Sequence, residues 1–256
     1  FVLVAHGLGF LLCRRLGGYD RATAFYAAMP GGLIEAVTLG EAAGGDARVL
    51  TTTHFLRIVL VVTLVPLGFL ILSGETVGSA AGQGLAARAA HPLDITEILG
   101  FALAGLLVVR LVHIPAGHLM APMFLSATAH GAGWLAVASP DWLLNLSQLM
   151  VGVGLGTQFS GAAWAPFFRV FRITLALVAL LMGLGLAMAL AVSGVSEVPL
   201  PALVLSLAPG GVTEMGLIAL SLDLSPVLVA AHHTFRIFFT VAAAAISARW
   251  VLARPA

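Results

Sequence analysis

Apolar residues run almost unbroken along this chain, and polar ones gather in short intervals between the runs. Six runs reach membrane-spanning length: 50–73, 95–113, 118–138, 143–163, 170–193 and 226–248. A helix needs about 20 residues to cross a bilayer core, so each run predicts one crossing helix. Phe1–Cys13 is also apolar, but 13 residues give only about 20 Å of helix, which predicts the end of a span rather than a whole one. The stretch 74–92 (GETVGSAAGQGLAARAAHP) is Gly/Ala-rich and aperiodic, and it reads as a linker. Asp94-Ile-Thr-Glu97 follows and fits a capping box opening the next helix.

Composition sharpens this picture. The chain has 256 residues, 60% hydrophobic and 9% charged, with a mean hydropathy of +1.07. Soluble domains carry about 25% charged residues. The expectation is an all-α polytopic membrane protein with the lipid bilayer as its first partner. A lone Cys13 excludes an internal disulfide and any cysteine metal cluster. All twelve basic residues are Arg, the net charge is +1, and no basic face forms. Nucleic-acid binding has no electrostatic footprint here.

An internal repeat changes the reading more than composition does. Shifting the chain by 179 positions lays Pro30, Gly31, Gly32, Glu35, His54, Arg57 and Ile58 on Pro209, Gly210, Gly211, Glu214, His233, Arg236 and Ile237 without a gap. These seven matches take in almost every rare residue type of the 29-residue window. The predicted organisation is the C-terminal half of a first repeat at 1–73, the linker at 74–92, and a second repeat at 93–256. Residues 93–179 have no counterpart ahead of Phe1, so the first copy is expected to be short at its N-terminus by about 86 residues.

Each repeat breaks a hydrophobic stretch with Pro-Gly-Gly. The arm after the glycines has 12 residues, Leu33–Gly44 or Val212–Asp223, about 18 Å of helix. That cannot cross about 30 Å of hydrocarbon alone. The segment either enters and returns, or crosses as one broken helix. Cytoplasmic loops collect Arg. The returning topology puts Arg14, Arg15, Arg21, Arg48, Arg110, Arg169, Arg172, Arg249 and Arg254 on one side, and Arg88 on the other. The crossing topology splits the same residues six to four. The count favours re-entrant hairpins, five spans per complete copy, and therefore inverted copies whose tips approach the midplane from opposite faces.

The repeated residues carry the candidate chemistry. Pro ends a helix, Gly permits close approach, and together they expose the N–H groups of the next helix, whose partial positive charge binds anions. Inverted repeats with broken helices at the midplane are the architecture of many secondary transporters. Pro30, Gly31, Gly32 and Glu35, with Pro209, Gly210, Gly211 and Glu214, are the candidate substrate or ion site. Each Glu either binds a cation or proton, or stabilises its own helix N-terminus. Arg57 and Arg236 lie mid-helix, with His54 and His233 one turn earlier on the same face. They either answer an anionic substrate or hold the hairpin through its carbonyls or a Glu. Gln158 lines a cavity or bonds a neighbouring carbonyl. Gly152, Gly154 and Gly156 suit close helix packing better than a dinucleotide loop, since no strand precedes them. No metal site, cofactor or catalytic constellation is expected.

The strings TAFYAAMPGGLIEA, GGDARVLTTTHFLRI, PAGHLMAPMFLSA, LAPGGVTEMGLIAL and PVLVAAHHTFRIFF resemble the bacterial AbrB-type membrane proteins over nearly the whole chain. The resemblance implies a duplicated membrane domain. It also implies that Pro30, Gly31, Gly32, Glu35, His54 and Arg57, and their second-copy partners, are family positions; Ala36 departs from Met215 of the second copy. Such proteins are often labelled ammonia monooxygenases or regulators of gene expression. A soluble transcription factor shares the name, but its β-rich DNA-binding domain has no counterpart here. The leading expectation is a multi-pass permease of the bacterial cytoplasmic membrane, not an enzyme. It would move a small anionic or polar solute with protons or Na+, with a homo-oligomer compatible with the reading. The alternatives are a membrane sensor that regulates gene expression without transport, and a metal-dependent monooxygenase subunit.

Overall fold

A computed structural model describes residues 1–74, 92–111, 117–134, 140, 142–143, 146, 149–150, 153, 157 and 164–252. Among these the regular structure is all helical. The chain divides into two compact units, Phe1–Ser79 with Thr157–Ala256, and Ala80–Gly156.

The larger unit begins with α1 (Val2–Arg15), α2 (Arg21–Ala27), α3 (Leu33–Ala42) and α4 (Ala47–Ser73). Local chemistry sets these bounds. Asp20 caps α2 by accepting from the Thr23 amide at 2.9 Å. Asp46 caps α4 by accepting from the Arg48 and Val49 amides at 2.9 and 3.2 Å. Side-chain caps of this kind satisfy the orphan donors of a helix start. Gly32 starts α3 from the left-handed region, φ 69°, a conformation that favours glycine.

The smaller unit holds α5 (Pro92–Leu111) and α6 (Gly117–Gly131), which pack together. The Pro122 ring rests on Gly105, where a methyl group would come within 2.6 Å of Pro122 Cδ. α5 starts two residues ahead of the expected cap. Asp94 therefore lies in its first turn rather than at its N-cap, because Pro suits the first helical position. The run predicted at 118–138 is helical over Gly117–Gly131; 135–139, most of the 143–163 run, and all but the ends of the 74–92 linker lie outside the described residues.

The larger unit resumes with α7 (Trp164–Ser193), α8 (Leu200–Leu207), α9 (Val212–Ser221) and α10 (Pro226–Leu252). Among the described residues three helices are long and apolar enough to cross a membrane: Ala47–Leu72, Phe167–Ser193 and Pro226–Leu252. At 27 residues each, α4 and α10 extend about 40 Å. Their outward faces carry large exposed apolar side chains, among them Ile71, Leu72, Phe235 and Trp250. A bilayer would cover such a surface.

Two apolar clusters form inside this unit. One joins Phe25, Tyr26, Met29, Ala36 and Leu50 to Leu177, Leu181, Val241 and Ala244. The other joins Val61 and Val65 to Val178, Leu205, Met215, Ile218 and Val229. α7 feeds both, so it stands between them. The helix bounds of α3 and α4 recur at α9 and α10 after a shift of 179 positions.

Candidate functional site

α2 has seven residues and α8 eight, about 10–12 Å of helix each. Both end on Pro-Gly-Gly inside the protein. Residues 22–31 are buried without interruption, and so are 205–209. Ala208 takes φ −57° and ψ 139°, the extended state that a following proline imposes. A helix end leaves its last carbonyls unsatisfied, and here that end lies in buried backbone.

The long helices supply the missing donors. Tyr26 O accepts from His54 Nε2 at 3.0 Å, and Met29 O accepts from the Arg57 guanidinium. Leu205 O accepts from His233 Nε2 at 2.9 Å, and Ala208 O accepts from Arg236 at 2.6 Å. Each bond of the first pair recurs 179 positions on. Arg236 goes further, donating to Leu207 O at 3.3 Å, to Gly210 O at 3.2 Å and to His233 Nδ1 at 3.0 Å. His233 Nδ1 therefore accepts, which fixes the proton on Nε2. Two further histidines complete the caps: His6 bonds Phe25 O at 2.8 Å, and His232 bonds Ser206 O at 3.0 Å. Of the two roles the sequence offers these Arg and His residues, the bonds match the carbonyl one.

The breaks also meet the opposite long helix. Gly31 faces Ile237 and Thr240 of α10, whereas Gly210 faces Val61 of α4. Gly32 lies beside Val241. Glu35 and Glu214 occupy the first turns of α3 and α9. Both are half-buried, and each carboxylate folds back over the glycine that precedes its helix, Gly32 or Gly211. Such a group offsets the positive end of its own helix. Gln158 lies outside the described residues, as do Gly152, Gly154 and Gly156. Among the described residues no group of three His, Cys, Asp or Glu side chains could hold a metal ion.

The family model described as "Transition state regulatory protein AbrB" matches residues 1–252. The chain belongs to the AbrB family. It is similar to the "Putative regulator AbrB" of Escherichia coli (strain K12), 23% identical over 181 residues. That match takes in 69% of this chain and spans only about half, 51%, of the relative's length. No solved structure matches.

The AbrB chain carries a second polar region away from the breaks. A cleft of about 540 Å3 is lined by Gly18, Tyr19, Asp20, Thr23, Asp46 and Arg169, with Val49 and Val170. Arg169 donates to Gly17 O at 2.7 Å, Arg14 donates to Tyr19 O at 2.7 Å, and Thr23 Oγ1 accepts from the Asp46 amide at 2.7 Å. Burial pushes the Tyr19 hydroxyl up to about 12. The Cys13 and Asp46 charges act the same way, and Arg169 opposes them.

Sequence reasoning missed several of these groups. His6 left no signal, because its position shifted by 179 is Gly185. Thr240 was hidden for the same reason, since its counterpart is Val61. Asp20 and Asp46 were findable: each stands immediately before its helix, where Asp is a favoured cap.

Proposed function

We propose that this chain is a secondary-transporter-like permease of the AbrB family, set as a multi-pass protein in the bacterial cytoplasmic membrane. In this reading it holds two copies of one unit, inverted in the bilayer, each with a re-entrant Pro-Gly-Gly hairpin. The solute site lies between the two breaks. Glu35 and Glu214 carry the coupling proton or Na+, and Pro30, Gly31, Gly32, Pro209, Gly210 and Gly211 present the helix starts that hold a small solute. The chain is then a carrier and not an enzyme, needs no cofactor, and has no nucleic-acid partner.

One observation supports this reading above the others. The carbonyl bonds of one break recur 179 positions later, and each break packs on the long helix of the other half. Irregular backbone inside a membrane is tolerated where it is buried in protein or lines a cavity, and broken helices from two inverted halves build transporter sites that way. The test is flux. Proteoliposomes holding the wild-type protein and a pH-sensitive dye should acidify inside when sodium succinate, sulfate or glutamate is added outside. Glu35→Gln combined with Glu214→Gln should abolish the signal. Full acidification in the double variant would sink the coupling role.

A second reading is a membrane sensor that alters gene expression without moving its ligand. The regulator names of the family model and of the Escherichia coli relative favour it. It predicts ligand-dependent stabilisation of the protein and no flux with any solute.

A further inference from the structure

The two breaks are not equivalent, and the difference points to one ligand class on one side. At Gly210 the space is taken: a methyl group there would meet Met215 Cε at 2.9 Å and Val61 Cγ1 at 3.1 Å. Met215 itself is fully buried. At Gly31 the nearest atoms to such a methyl lie at 3.6 Å or beyond. Ala36 stands where the second half has Met215, and a methyl at Gly31 would sit in ordinary van der Waals contact instead of clashing. The lining differs too. Gly31 faces the Thr240 hydroxyl where Gly210 faces Val61. Thr240 is fully buried, and its Oγ1 has no hydrogen-bond partner.

The two guanidiniums differ in the same direction. Arg236 spends its donors on three carbonyls and His233. Arg57 donates, among the described residues, to Met29 O, though a guanidinium carries five N–H donors. Arg57 is 4% exposed, and its Nε, like that of Arg236, is buried without a partner. No carboxylate pairs with either guanidinium among the described residues. A helix C-terminus carries about half a negative charge, so capping α2 and α8 offsets about half of each guanidinium.

We infer that the Gly31 break is an anion-binding site for a small carboxylate or oxyanion. The anion is held by the Arg57 Nε–H, the Thr240 hydroxyl and the amides that open α3, and the Gly210 break is its closed structural counterpart. The inference rests on the permease reading for its place in a transport cycle, but not for the binding itself. Glu35, folded over Gly32, competes as a tethered anion. The incoming anion displaces it, which gives Glu35 a direct hand in gating occupancy.

The probes are the sodium salts of chloride, sulfate, acetate and succinate, at fixed ionic strength in a gluconate background. The readout is the melting temperature of the purified detergent-solubilised protein. At least one anion should raise it saturably. Thr240→Val, which keeps the carbonyl caps intact, should raise the saturation midpoint about tenfold, the effect of losing one hydrogen bond to a charged group. Glu35→Gln should lower the midpoint by removing the competitor. The site is overturned if no probe gives a saturable shift, or if both variants keep the wild-type midpoint. Saturable binding with those two shifts but no flux in proteoliposomes supports the site and removes the permease. Flux without any saturable anion effect does the reverse.

Discussion

Replace Arg236 with Met, and in a separate protein replace Arg57 with Met. Both guanidiniums are almost fully buried, 2% and 4% exposed. Each substitution therefore removes the same charge and returns a similar desolvation cost, and these terms cancel in the comparison. What differs is the backbone left behind. Arg236→Met strands the carbonyls of Leu207, Ala208 and Gly210, whereas Arg57→Met strands that of Met29. A buried polar group without a partner costs about 1–3 kcal/mol. Two additional stranded carbonyls make Arg236→Met worse by about 2–6 kcal/mol, a large part of a typical total of about 5–15 kcal/mol. For a chain of this size one kcal/mol moves the melting temperature by about 2–4 °C. The gap between the two variants should then be at least about 4 °C. Fluorescence-detected size exclusion after heating gives both temperatures from crude detergent extracts. Equal melting, or a lower value for Arg57→Met, would refute the carbonyl-cap account.

Three further outcomes follow from other parts of the fold. The Tyr19 hydroxyl stays protonated up to about 12 in the folded protein against 10.0 for the free group; the folded state binds more protons in that interval, so stability is intact below pH 10 and declines as pH rises toward 12. Tyr19→Phe should melt with a shallower alkaline decline between pH 9 and 11, and identical declines would count against the assignment. Gly40→Ala should cost about 1–3 kcal/mol through overpacking, because its methyl would come within 3.0 Å of Tyr26 Cβ and press on the fully buried Leu50; a wild-type melting temperature would show that α2, α3 and α4 pack less tightly there. Asp46→Ala removes the cap of α4 and should lower stability by about 0.5–2 kcal/mol, with Asp46→Asn keeping most of it when both are melted side by side.

The sequence exposed the positions of the breaks and of the long helices, because Pro-Gly-Gly and long apolar runs are local signals. α3 and α9 begin where the Pro-Gly-Gly spacing predicts and end at Ala42 and Ser221, two residues short of the predicted arms. The partners of Arg57 and Arg236 were not legible. Which carbonyls they reach depends on where α2 and α8 end relative to α4 and α10, and that is set by packing between elements, not by spacing along one. His6 shows the limit of repeat logic. It caps α2 from a helix ahead of it, and a shift that finds shared residues cannot find those present in one half. The difference between Ala36 and Met215 was visible as a mismatch. Its meaning needed Gly210 and Val61 on the same side of Met215.

The caps also impose an order on synthesis. His6 apart, the donors that complete α2 and α8 lie between 26 and 29 residues downstream of the carbonyls they serve. At about 5–20 residues per second of translation, a newly made Pro-Gly-Gly segment waits about one to six seconds for them. During that interval its carbonyls have only water or the insertion machinery to bond. Each break is completed only after the long helix behind it has been made. The two halves of the protein are thus paced by their own helices, each break finished by the helix that follows it.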